Sequence, residues 1–210
     1  SRQPYKLMTV SDSGPSRLQR MCENYKKMGL DCLFTLGGAG THKTAALLCM
    51  EGCNVVGLPK TIDNDIYGTD VTFGFQTAVE IATEAIDRIR TTAASHSRTM
   101  LIEIMGNKAG WLTLEAGIAA GADMILIPEI PFSVDSVCDF VQQHRASGKS
   151  HTIIAVAEGA VLASEVKFKK SERTFVRTEL GETTVTRHLA QVLQERTGYE
   201  TRTDVLGYLQ

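Results

Sequence analysis

The segment Pro59-Lys-Thr-Ile-Asp-Asn-Asp65 packs a cation, a hydroxyl and two carboxylates closely together. Lys60 can neutralise a transferring phosphoryl group, and Asp63 or Asp65 can take the proton of an attacking hydroxyl. A polar Asx-turn is the plain alternative. Upstream, Gly37-Gly-Ala-Gly-Thr-His-Lys43 opens a helical pattern. Glycines let backbone N–H groups approach an anion, and a helix N-terminus favours negative charge. Thr41 can cap that helix or donate to a phosphate oxygen; a tight turn without a ligand is the alternative. Downstream, Met105-Gly-Asn-Lys-Ala-Gly110 closes an apolar run, and Ala157-Glu-Gly-Ala160 sets an acid among small residues. Arg98 stands at the opposite end of the run that Met105 closes. An arginine there is a solvated charge unless a neighbouring subunit brings its own site to it.

These loops need a frame that aligns them, and hydrophobic periodicity supplies one. Strand-like runs cover 32–36, 54–58, 99–104, 124–127 and 152–157, with a weaker one at 203–206. Helical patterns lie between them at 16–28, 41–51, 73–94, 110–120, 134–147 and 184–196. Continuous apolar strands such as Met124-Ile-Leu-Ile127 fit sheets covered by helices on both faces. The alternation predicts an α/β fold of doubly wound, mostly parallel sheets, in which ligands bind outside the carboxyl ends of the strands. All the loops above follow such runs. The polar stretch 167–182 reads as a solvated surface excursion.

The chain has 210 residues, with 22 basic and 24 acidic side chains, a net charge of −2 and 43% hydrophobic residues. That is enough apolar material for a folded core, so disorder is excluded as the main state. The charge balance gives no support to a nucleic-acid partner, and no apolar run approaches the roughly 18 residues needed to cross a bilayer. The five cysteines form no CxxC pair, which predicts buried free thiols in a reducing cytoplasm. The opening Ser1-Arg2-Gln3-Pro4 has neither Met nor a signal-peptide layout and points to a processed chain or an excerpt.

Taken together, the loops resemble the 6-phosphofructokinase family. The resemblance is carried by Gly57-Leu-Pro-Lys-Thr-Ile-Asp-Asn-Asp65, Phe73-Gly-Phe-Gln-Thr-Ala78, Ser95-His-Ser-Arg98 and Met105-Gly106. It continues through Ala116-Gly-Ile-Ala-Ala-Gly-Ala-Asp123, Ile127-Pro-Glu129, Gly198-Tyr-Glu-Thr-Arg202 and Leu206-Gly-Tyr-Leu-Gln210. It implies two Rossmann-like domains, with 1–74 in the domain of the phosphoryl donor and 75–210 in that of fructose 6-phosphate. It also implies a magnesium-dependent, cytoplasmic, glycolytic transferase that phosphorylates the sugar's 1-hydroxyl. Asp63 is then the base, Thr61 and Asp65 hold the sugar and the reacting phosphoryl region, and Gly38, Ala39, Gly40 and Thr41 cradle the donor phosphates. Met105, Gly106 and Asn107 line the sugar pocket, where Glu158 accepts from a hydroxyl. Arg98 and Arg202 match arginines given across a subunit interface to the 6-phosphate, so a homo-oligomer is expected. Arg2 matches an arginine that neutralises transition-state charge.

The chain departs from the family pattern in ways that bear on chemistry. Ala39 stands where the family has a magnesium-binding Asp, Asn107 where it has Arg, and Tyr208 where many bacterial members have a phosphate-binding His. Gly40 resembles ATP-using members and Lys60 pyrophosphate-using ones. Some ATP-using branches also carry this Lys, so ATP is the expected donor and pyrophosphate the alternative. Ala39 and Asn107 also admit a catalytically weakened regulatory homologue. Family members carry a further glycine-rich loop upstream and more helices downstream, so elements normally covered are expected to lie bare.

Overall fold

The computed structural model describes residues 16–168 and 184–208. Arg2 and most of the 167–182 stretch therefore lie outside the described residues. The chain forms two compact units, one of residues 1–61 and 65–74, the other of 62–64 and 75–210.

The first unit holds α1 (Arg17–Lys27), β1 (Leu33–Gly37), α2 (Ala39–Met50) and β2 (Val55–Pro59). Ser16 caps α1 through a reciprocal capping box with Gln19. β1 and β2 pair in parallel, Leu33 opposite Val55. Leu18, Cys22, Leu48 and Cys53 form a small core on one face of this pair. Among the described residues nothing covers the other face: Phe34 and Leu36 stay 62% and 61% exposed. Coverage of both faces, expected from the apolar runs, is thus not found for this pair among the described residues: helices pack on one face only, so burial alternates along β1, in line with the expectation that elements covered in family members lie bare here. α2 begins at Ala39, two residues before the predicted start, with Gly38 as its N-cap. Thr41 is thus inside the first turn and is not the cap.

Burial of all the cysteines also needs correction. Cys22, Cys53 and Cys138 are buried, Cys32 is half-buried and Cys49 is exposed; all are free thiols. Cys49 ends a helix whose apolar residues do not form a single stripe, so its apolar neighbours in sequence did not report its face. Burial, together with a hydrogen bond to Cys53, pushes the Cys22 thiol up to about 11. Since the thiolate is the nucleophile, alkylation at pH 8 should modify Cys49 first and spare Cys22 and Cys53 until denaturant is added. Peptide mapping would check this, and early labelling of Cys22 would contradict it.

The second unit contains α3 (Phe75–His96), β3 (Thr99–Ile104), α4 (Trp111–Ala119), β4 (Met124–Leu126), α5 (Val134–Ala146), β5 (Thr152–Ala157), α6 (Val185–Thr197) and β6 (Thr201–Val205). Its four parallel strands run in the order β4-β5-β3-β6. β3 and β5 are buried along their whole length, and alternate residues serve opposite faces. Met100, Ile102, Ile153 and Ala155 pack with Phe75, Ile86 and Leu112 from α3 and α4. Leu101, Ile154 and Val156 pack with Val137, Val141, Leu189 and Leu193 from α5 and α6. The strand order explains this division. The chain leaves β3 for β4 in one direction along the sheet and then returns through β5 to β6 in the other. Right-handed crossovers put α4 on one face and α5 and α6 on the opposite one. The connections of neighbouring β3 and β5 diverge at their carboxyl ends, which makes that edge a topological switch point and the expected place for a ligand.

Candidate active site

In the first unit, two of the predicted loops are joined by backbone. Lys60 N–H donates to Gly37 O at 3.0 Å, and Phe73 continues the pairing through Phe73 N to Pro59 O (2.8 Å) and Thr61 N to Phe73 O (3.1 Å). Thr72 Oγ1 also donates to Thr61 O at 2.7 Å. A methyl at Gly38 would lie 3.6 Å from Thr61 Cβ, so the hydroxyl-bearing Thr61 sits against the N-cap of α2. The first N–H groups of that helix have no carbonyl one turn back to receive them, and its first turn contains no acid. Gly38, Ala39, Gly40 and Thr61 therefore present donors and a hydroxyl with no opposing carboxylate from α2, an arrangement suited to phosphate. Lys60 and Asp65 are exposed.

Asp63 belongs to the segment counted with the second unit. It is fixed on both sides: Ile62 is buried in the core with Phe75 and Ala78, and Asn64 takes a left-handed conformation, φ 51°. Asn tolerates that region better than most residues, so this turn holds the Asp63 backbone in place.

The carboxyl ends of β3 and β5 bring Met105, Gly106, Asn107 and Glu158 together. Glu158 N–H donates to Ile104 O at 2.9 Å, and Glu158 Oε1 accepts from the Asn107 backbone N–H at 2.6 Å. Gly159 allows this approach, because a Cβ there would fall 2.3 Å from Asn107 O. Asn107 itself has φ 54°. A cavity of about 150 Å³ opens here, lined by Glu103, Met105, Glu158, Val205, Gly207 and Tyr208. Met105, Glu158 and Tyr208, all expected from the sequence, line this one cavity. Glu103 was missed: it sits within an apolar strand, where nothing in the residue pattern marks one position as facing a cavity.

Arg98 and Arg202 lie at the amino ends of β3 and β6, where Met100 pairs with Arg202. The length of β3, six residues, separates them from Met105 by about 20 Å. They meet on a third residue that sequence reasoning overlooked. Glu200 Oε1 accepts from Arg98 Nη2 at 2.9 Å and Arg202 Nη2 at 2.8 Å. Arg145 braces the preceding residues, donating to Ser97 O while its guanidinium lies 4.9 Å from the Tyr199 ring centroid. Arg202 also borders a larger cavity of about 340 Å³ between α6 and β6, together with Arg187. The signal for Glu200 was its place two residues before Arg202 in the quoted Gly198–Arg202 run.

The Arg98 hydrogen bond is the main reason that the Glu200 carboxyl is held below its ordinary range. A depressed native value stabilises the fold above the unfolded pKa of about 4.3, and this contribution is lost as pH falls through the native value. An NMR titration should give Glu200 a midpoint below about 4.3 that moves upward in Arg98→Ala. An unchanged midpoint in that variant would remove the pairing.

Residues 6–210 match the family model described as phosphofructokinase. Over 200 residues the chain is 54% identical to ATP-dependent 6-phosphofructokinase of Spirochaeta thermophila, covering 95% of this chain and 55% of that protein. It is 50% identical over 184 residues to pyrophosphate–fructose 6-phosphate 1-phosphotransferase of Amycolatopsis methanolica, covering 87% and 53%. The crystal structure of Pichia pastoris phosphofructokinase superposes with a TM-score of 0.74 at 36% identity, over 91% of this chain and 20% of that one. The chain thus spans about half the length of the curated relatives it matches.

Proposed function

Because the chain belongs to the phosphofructokinase family, we propose that it supplies the central part of an enzyme phosphorylating the 1-hydroxyl of fructose 6-phosphate. The observation that carries this reading is the convergence of Met105, Glu158 and Tyr208 on one cavity at the sheet's switch point. Residues 1–74 take the donor and 75–210 the sugar phosphate. Asp63 accepts the 1-hydroxyl proton while that oxygen bonds to the transferred phosphorus and the donor's leaving phosphate departs. Thr61 and Asp65 orient the reacting groups, and Lys60 and Arg2 offset the developing charge. Gly38, Ala39, Gly40 and Thr41 receive the donor phosphates. Glu158 accepts from a sugar hydroxyl beside Met105, Gly106 and Asn107, and Tyr208 lines the same cavity.

Among the described residues, no three acidic, His or Cys side chains gather as a metal cage, and Ala39 offers only a methyl. The donor set still fits magnesium, which binds through one or two carboxylates, water and substrate phosphates; Asp65 is the carboxylate at hand. The ion supplies charge neutralisation on the donor phosphates.

Arg98 and Arg202 stand about 20 Å from Met105 along β3, too far to serve the cavity of their own chain. This favours a homo-oligomer in which they bind the 6-phosphate for a neighbouring copy, by the bidentate geometry suited to phosphate. Free thiols fit a cytoplasmic, reducing setting for this glycolytic step. Among the described residues no helix is long and apolar enough to cross a membrane.

ATP is the donor on the strength of Gly40. A second reading, pyrophosphate, has its own support in Lys60. The test is fructose 1,6-bisphosphate formation by the complete protein with magnesium and each donor separately. Turnover with ATP is expected; turnover with pyrophosphate alone would reverse the donor. Binding of the sugar phosphate without turnover would identify a weakened regulatory homologue.

A further inference from the structure

Glu103 is only 7% exposed, and its Oε2 has no hydrogen-bond partner among the described residues. It lies on β3 between two parallel neighbours, and its backbone carbonyl receives the Leu206 N–H at 3.0 Å. A carboxylate oxygen left unpaired in a strand interior is costly, and apolar side chains on neighbouring strands would fill the space without that penalty. The side chain also lines the cavity that holds Glu158, Met105 and Tyr208. Such a group is retained where a ligand completes its hydrogen bonding.

We propose that Glu103 is a second hydroxyl acceptor of the sugar cavity, and that together with Glu158 it determines which sugar phosphate is accepted. The proposal rests on the reading of this cavity as the fructose 6-phosphate site. The chemistry of the lining chooses the ligand group. Two carboxylates repel a phosphate, so the phosphoester end stays away from Glu103 and Glu158. A cation is disfavoured because no third acidic, His or Cys side chain joins the pair among the described residues. Neutral hydroxyl donors remain, and a furanose carries several on adjacent carbons. A volume of about 150 Å³ equals roughly five waters at about 30 Å³ each, enough for one edge of a sugar ring. Glu158 keeps Oε1 engaged with Asn107 N–H, so the pair divides the work: Glu158 ties the loop to the ligand, and Glu103 reads a hydroxyl directly from the strand. Strand placement makes that reading rigid, as specificity requires.

The experiment compares wild type and Glu103→Gln in the complete, assembled protein. Binding of fructose 6-phosphate and of analogues lacking the 3- or the 4-hydroxyl is measured by calorimetry. E103Q should bind the parent sugar phosphate about 10- to 100-fold more weakly, as expected for losing a hydrogen bond to a charged group. It should melt no lower than wild type, because an unpaired carboxylate has been replaced by a neutral isostere. One deoxy analogue should bind wild type with a similar loss yet bind E103Q with little further loss, the non-additivity of a shared contact. Equal binding of fructose 6-phosphate by both proteins, or additive losses for both analogues, would overturn the role of Glu103 and leave the kinase reading standing. Wild type that binds no fructose 6-phosphate would overturn the reading of the site itself, and Glu103's role with it.

Discussion

Asp63→Asn in the complete protein should lower turnover by about 10²- to 10⁴-fold, the usual contribution of a positioned general base, while the KM for fructose 6-phosphate changes by no more than a few-fold. The size follows from the step assigned to this carboxylate. An alcohol loses its proton as its oxygen bonds to phosphorus, and an amide of the same shape cannot take that proton. The small KM effect follows from the local structure. Ile62 is buried in the core and Asn64 holds a left-handed turn, so the backbone on both sides of Asp63 is fixed by residues that the substitution leaves untouched. Ground-state contacts through the carbonyl oxygen of Asn survive, so the loss appears in kcat. Steady-state kinetics with saturating magnesium and donor would measure it. Near-normal turnover would remove Asp63 as the base, whereas a large rise in KM with kcat preserved would make it a sugar-binding residue instead.

The parts of the structure legible in the sequence are those fixed by local rules. β3 and β5 were visible because strands covered on both faces are apolar throughout. The glycines of the Gly37–Thr41 turn marked a helix start, although Gly38 and not Thr41 is its N-cap. β6 was only weakly visible and was placed two residues late, because Thr201-Arg-Thr-Asp lies on the sheet edge and carries polar residues there. Two kinds of information were not legible. Strand order is set by packing among distant segments, so the divergence of β3 and β5, which creates the switch point, emerges only in three dimensions. Partner choice among charges is equally non-local. Glu200 could have been an ordinary surface acid, but the parallel pairing of β3 with β6 brings Arg98 to the carboxylate that Arg202, two residues along the chain, also meets. Glu103 resembles a polar intrusion in a buried strand until the cavity beside it is seen.

Gly159→Ala should destabilise the protein by about 1–3 kcal/mol, the ordinary cost of forcing a methyl into filled space, and should raise the KM for fructose 6-phosphate by at least about 10-fold. The methyl would stand 2.3 Å from Asn107 O and 3.2 Å from Pro128 Cγ. The nearer atom is backbone, so no rotamer change relieves the contact and one of the two loops must move. Whichever moves, the 2.6 Å bond from Asn107 N–H to Glu158 Oε1 is broken or lengthened, because residue 158 is the chain neighbour of 159. Met105 and Glu158 would then no longer line the same cavity. The small residues around Glu158 are explained by contact between two strand-end loops and not by backbone conformation. Melting curves and the KM together test this account. Unchanged stability with unchanged KM would mean that the loops separate at no cost, and that the sugar pocket does not depend on their contact. A loss of stability with the KM unchanged would assign Gly159 to packing alone and leave Glu158 positioned by its own backbone bond to Ile104 O.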